Sequence, residues 1–133
     1  MRQITDVEMK EMLITYMEKG FLENIIDMFR DDPSLVRFIP DMIRADNLKI
    51  RIGVVALVQE LSQALSKELE QIIPSLVELL KDRNPVLRGD IAYMLSLIKS
   101  PSSLLVLKSL CCDENPDVRE IALEAFNQTD ISH

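Results

Sequence analysis

Apolar residues fall at helical spacing almost from the start of the chain. Met9, Met12, Leu13, Tyr16 and Met17 recur at intervals of three and four, the stripe of an amphipathic helix. Thr5 followed by Glu8 spells a capping box ahead of that stripe. Gly20 suits the left-handed residue that ends such a helix. A second stripe, Phe21, Leu22, Ile25, Ile26 and Phe29, stops at Asp31-Asp32-Pro33. A third helix starts at Pro33, because proline's missing N–H costs nothing in a first turn, and Pro40 inside it predicts a kink. Asp46 or Asn47 caps a long helix through "LKIRIGVVALVQELSQAL", and Ser66 opens a fifth with Pro74 inside it. Asp82-Arg83-Asn84 makes a tight turn. Three more helices follow, from Pro85 to about Ile98, from Ser100-Pro101 through "SSLLVLKSLCC", and from Asp113-Glu114-Asn115-Pro116 to near Asn127. That makes about eight helices with short connections and no strand-like alternation.

Two of these helices open in the same words. Residues 82–95 read "DRNPVLRGDIAYML" and residues 113–126 read "DENPDVREIALEAF", so Asp, Asn, Pro and Arg recur thirty-one places apart. Arg51 lies thirty-seven places before Arg88, which lies thirty-one before Arg119. Each arginine stands in the first turn of a helix, five or six places after an aspartate: Asp46, Asp82 or Asp113. Val54-Val55, Ile91-Ala92 and Ala122-Leu123 follow three and four residues on, then Val58, Leu95 and Phe126 at seven. A period of this size marks helix pairs that cannot bury their apolar faces alone and must stack.

The segments resemble HEAT repeats, including the HEAT-like form found in phycobilisome lyases. "IIPSLVELLKDRNPVLRGDIAYML" follows the family pattern almost throughout. "FIPDMIRADNLKIRIGVVAL" follows it with a turn three residues shorter, and "SLLVLKSLCCDENPDVREIALEAF" with its proline, Pro101, at the helix start. The resemblance implies an all-α, right-handed α–α superhelix. Residues 33–133 would form three helix-pair repeats in one continuous domain, behind an N-terminal helical pair, residues 1–32, that is a divergent repeat or a cap. It further implies that Asp46, Arg51, Asp82, Arg88, Asp113 and Arg119 form a structural ladder through the stack. Physically, such an aspartate accepts N–H bonds at a helix start, and the arginine fork reaches carboxylates of its own or the next repeat.

Composition narrows the function. The chain has 133 residues, 47% apolar and 28% charged, enough for one globular domain. Fifteen basic residues stand against twenty-two acidic ones, with no basic run, for a net charge of -7. That balance argues against nucleic acid, which needs a dense Lys/Arg footprint, and against an anionic membrane surface. No segment approaches the roughly 20 apolar residues of a membrane span. The N-terminus lacks the apolar core of a signal peptide, so a cytoplasmic location is expected. Asn127-Gln128-Thr129 matches the glycosylation pattern by chance on that reading.

Little in the chain suggests catalysis. The single histidine, His133, is the final residue given, which removes imidazole bases, histidine-dependent triads and most zinc sites. Cys111 and Cys112 are neighbours that point about 100° apart on a helix, so they suit a reducing compartment better than a disulfide. Gly20, Gly53 and Gly89 are too scattered to cradle a phosphate. No cofactor and no metal are expected.

In such repeats, the resemblance implies, the second helices line the concave side. Opposite the apolar centre of the Arg88 helix (Leu87, Ile91, Leu95, Ile98) lie Gly89, Tyr93 and Ser96. The repeat offset adds Ile52, Ala56 and Gln59 before them, and Glu120, Glu124 and Asn127 after. This face predicts a protein or peptide partner with a basic, partly apolar surface, Tyr93 being a good contact residue. Against it stands a plain solvated surface. Leu105, Val106, Leu123 and Ile131 form a second candidate, an apolar edge for a homo-oligomer, unless the tail "NQTDISH" folds back over it. The function read from the chain is therefore a non-catalytic interaction scaffold. The alternatives are an enzyme or nucleic-acid-processing protein on the same solenoid, or a self-associating structural subunit.

Overall fold

The computed structural model describes the backbone of residues 3–131 and the side chains of residues 3–128. Among the described residues there is no strand. The order is α1 (Asp6–Glu18), α2 (Leu22–Asp31), a 3-10 segment (Pro33–Phe38), α3 (Ile39–Ile43), α4 (Leu48–Leu61), α5 (Ser66–Glu70), α6 (Ile73–Leu79), α7 (Pro85–Ile98), α8 (Pro101–Leu110) and α9 (Pro116–Ile131).

Local chemistry sets most of these boundaries. The Glu8 N–H donates to Thr5 Oγ1 at 3.1 Å while Thr5 N–H donates back to Glu8 Oε1 at 3.3 Å, a complete capping box. Gly20 takes φ 84° after α1. Ser100 and Ser103 build a second reciprocal box ahead of α8, at 3.1 and 2.9 Å. Lys99 ends α7 in the left-handed region, at φ 57°, without being glycine.

The internal prolines break helices where a bend was expected. A proline lacks the donor for the bond to the residue four back, and its ring strikes that carbonyl. Pro40 and Pro74 therefore each stand second in a new helix, α3 and α6, where a first-turn N–H has no partner to lose. The chain ahead of Pro40 winds as 3-10, and the stretch ahead of Pro74 becomes the short α5. The expected third and fifth helices are thus each in two pieces. The last helix runs to Ile131, four residues beyond the expected end near Asn127. Residues 127–131 continue that helix. The side chain of Ile131, and His133 altogether, lie outside the described residues.

The helices stack in two rows. α2, α4, α7 and α9 pack in succession, and so do α1, α3, α6 and α8. Within each layer the partners also touch: α1 with α2, α3 with α4, α6 with α7, and α8 with α9. One apolar core runs from Leu13 to Ala125. The protein is an all-α solenoid, each pair supplying the wall its neighbour lacks. Leu87, Ile91 and Leu95 are 7%, 0% and 0% exposed, as their spacing requires. Sandwiched between α4 and α9, α7 also buries Arg88, Gly89, Ala92 and Met94.

Candidate interaction surface

Three successive layers share one construction at the start of α4, α7 and α9. Asn47 Oδ1 accepts from Lys49 and Ile50 N–H, at 2.9 and 3.3 Å. Asn84 Oδ1 accepts from Val86 N–H at 3.0 Å, and Asn115 Oδ1 from Asp117 and Val118 N–H at 2.9 and 3.2 Å. Each asparagine is thus the cap, and the arginine is the fourth helical residue each time: Arg51, Arg88, Arg119. Two residues before the cap, Asp82 and Asp113 accept the asparagine N–H at 2.8 and 2.9 Å.

Asp46 departs from that pattern. It stands one residue before its cap, and Ala45 holds the ladder place. Asp46 is exposed and acts on Arg51 only through space. The ladder has one complete rung. Arg88 Nε and Nη2 reach Asp113 Oδ1 and Oδ2, each at 3.0 Å, while Nη1 donates to Asp82 O at 2.9 Å. The hydrogen bond from Arg88 holds the Asp113 carboxyl below its ordinary range, against the opposing effect of burial. Arg119 Nη1 donates to Asp113 O at 2.8 Å, the equivalent backbone bond. Arg51 turns aside: its Nε donates to Asp90 Oδ2 of α7 at 2.7 Å, a bond that raises its pKa. Asp90 was not legible as a partner, because its counterparts two places after the other arginines are Gly53 and Ile121. A cleft of about 210 Å³, lined by Arg44, Asp46, Arg51, Asp82 and Leu87 among others, lies where a second rung would run.

The expected contact residues divide into three groups. Ile52 and Tyr93 are 62% and 43% exposed, and Gln59, Glu120 and Glu124 are exposed, on helices that pack in the order α4, α7, α9. Ala56 and Ser96 are half-buried, and the Ser96 hydroxyl is occupied, donating to Tyr93 O at 2.5 Å. Gly89 is buried: an added Cβ would stand 3.0 Å from Ile121 Cδ1, so α9 covers it and no partner can reach it. Placing Gly89 on the open face assumed that only one side of α7 is covered, whereas α9 covers a second.

The apolar edge divides too. Leu105 and Leu123 are 73% and 52% exposed, whereas Val106 is half-buried against the core. One feature was invisible in the sequence. Beside Ile52, the end of α1, the start of α2 and α4 enclose a hollow of about 270 Å³ lined by Met17, Leu22, Gly53 and the rim residues Lys19 and Lys49. On its floor Gly53 lets α4 close on Met17, since an added Cβ there would overlap the Met17 side chain.

Cys111 is half-buried, its Sγ donating to Leu107 O at 3.4 Å, and burial pushes its thiol pKa up; Cys112 is exposed. Among the described residues no three His, Cys, Asp or Glu side chains are grouped to hold a metal, and no helix is long and apolar enough to cross a membrane.

A family model for HEAT repeats matches residues 38–127, about two thirds of the chain. No curated protein and no solved structure matches it. The family match spans the three layers whose capped turns and arginines carry the repeat, so the chain belongs to the HEAT-repeat family.

Proposed function

We propose that the chain is a non-catalytic scaffold or adaptor that holds a protein or peptide along the face made by α4, α7 and α9. HEAT repeats commonly mediate contacts between proteins, and proteins built from them are generally non-catalytic. The observation that carries the reading is Tyr93, 43% exposed at the middle of that face. Ile52 stands on the helix to one side, and Glu120 and Glu124 on the helix to the other. A tyrosine offers area, rigidity and a hydrogen-bonding tip at low entropic cost. The glutamates favour a partner with a basic flank beside its apolar centre.

The same reading treats α1 and α2 as a divergent first repeat, since they join both rows of the stack. It places the protein in the cytoplasm. A nucleic-acid ligand is disfavoured by the net charge of -7.

The test is co-purification from native cells with the natural chain, Tyr93→Ala and Glu124→Lys. Both variants should lose the proteins that the natural chain retains. An unchanged set of captured proteins removes the proposal, and a mobility shift of short DNA or RNA at low salt would favour the nucleic-acid alternative.

A further inference from the structure

Two hollows share a wall where α1 ends and α4 begins. The apolar one, of about 270 Å³, is lined by Met17, Leu22, Ile52 and Gly53. The other, of about 520 Å³, is polar and reaches Thr15 and Asn47. Glu18, Lys19 and Lys49 line both. Lys19 caps the end of α1, and Lys49 is the second residue of α4. Both lysines are exposed, and among the described residues neither is in an ion pair. Two cations and one anion therefore ring the apolar hollow, in a chain whose net charge is -7.

Size and lining narrow the occupant. The apolar hollow falls below the roughly 300–1,000 Å³ of sites that enclose drug-sized ligands, and it suits one large side chain. Ile52, 62% exposed, gives it an apolar wall that water now wets. The Met17 thioether is a favourable neighbour for an aromatic ring. The lysines between the hollows can each donate to a carboxylate carried beside that ring.

We propose that the hollow anchors an aromatic side chain of a partner protein, with an aspartate or glutamate next to it in sequence. The ring enters between Met17, Leu22 and Ile52, and the carboxylate meets Lys19 and Lys49. This deepens the reading of the chain as a protein-binding scaffold and rests on it, but not on Tyr93. The acidic anchor is compatible with a basic flank at Glu120 and Glu124. Those glutamates stand on α9, with α7 between them and α4, so the two charges belong to opposite ends of one bound segment.

The test selects binders from a displayed library of random peptides. A length of about twelve residues, at roughly 3.3 Å each, is enough to cross α4, α7 and α9. The natural chain should enrich peptides in which Phe, Tyr or Trp adjoins Asp or Glu. One such peptide, followed by fluorescence anisotropy, should bind the Lys19→Glu/Lys49→Glu double variant about tenfold or more weakly. Replacing its acid by lysine should restore binding to that variant and lose it on the natural chain. The variant should keep its Tm within about 2 °C, since both lysines are exposed. A selection without the aromatic–acid pair, or an affinity that the double variant leaves unchanged, overturns the proposal. Tyr93→Ala separates the anchor from the wider face. A peptide that needs the lysines but not Tyr93 supports the anchor alone, and one that needs Tyr93 but not the lysines overturns the anchor and leaves the face. Sedimentation of the natural chain at rising concentration should give a monomer. A dimer that Lys49→Glu dissolves assigns the hollow to a second copy and overturns the assignment to a different protein.

Discussion

Arg88 and Asp113 meet between α7 and the turn before α9 in two parallel hydrogen bonds of 3.0 Å, with side chains only 6% and 10% exposed. A planar fork on a carboxylate is the geometry in which an ion pair gains most, and here it ties layers twenty-five residues apart. Removing one partner strands the other charge beneath the surface. Asp113→Ala should therefore cost about 3 kcal/mol or more, read from urea unfolding. Arg51→Met should cost about 1 kcal/mol, because the Arg51–Asp90 pair is 25% and 21% exposed and water screens what is lost. Equal costs would show that the rung is no stronger than a surface pair.

The same rung sets a pH dependence. The folded Asp113 carboxyl has its pKa depressed, chiefly by the Arg88 hydrogen bond, below the value of about 3.9 of an unfolded aspartate. A depressed carboxylate contributes stability that is complete above the unfolded pKa and is lost as pH falls through the folded one. The gap in urea midpoint between the natural chain and Asp113→Asn should be constant from pH 7 to about pH 5. It should narrow below about pH 4. A gap that widens in acid would contradict the assignment.

Two glycines in second helices should respond differently to alanine. An added Cβ at Gly53 would overlap Met17, which is 2% exposed and has little room to move. At Gly89 it would meet only the tip of Ile121 at 3.0 Å, a group that is 38% exposed and can give. Alanine gains about 1 kcal/mol of helix propensity over glycine, and overpacking costs about 1–3 kcal/mol. Gly53→Ala should thus lower Tm, Gly89→Ala should leave it level or raise it, and Met17→Ala should relieve the Gly53→Ala penalty in the double variant.

Lys99 holds φ 57° and ψ 38° at the end of α7, where a Cβ crowds the carbonyl. Its side chain is exposed. Lys99→Gly should stabilise the protein by about 1 kcal/mol, seen as a higher urea midpoint with an unchanged slope. A loss of stability would mean that the lysine side chain supports the cap.

Several features were legible because they are local. The capping box at Thr5, the left-handed Gly20, the helix starts at Pro85, Pro101 and Pro116 and the buried stripe Leu87–Ile91–Leu95 each depend on residues within a turn or two. The thirty-one-residue echo then required layers, since neither copy can bury its apolar face alone. Which charged groups pair was not local. Arg51 and Arg88 occupy the same helical position, yet one bonds Asp90 of the neighbouring helix and the other an aspartate of the next turn. Gly89 looked open by its angle on the helix wheel, and α9 covers it. A 3.6-residue period determines which side chains share a face of a helix. Only the stacking of distant segments decides what lies opposite that face, and so whether Tyr93 and Leu123 meet water while Gly89 and Arg88 meet protein.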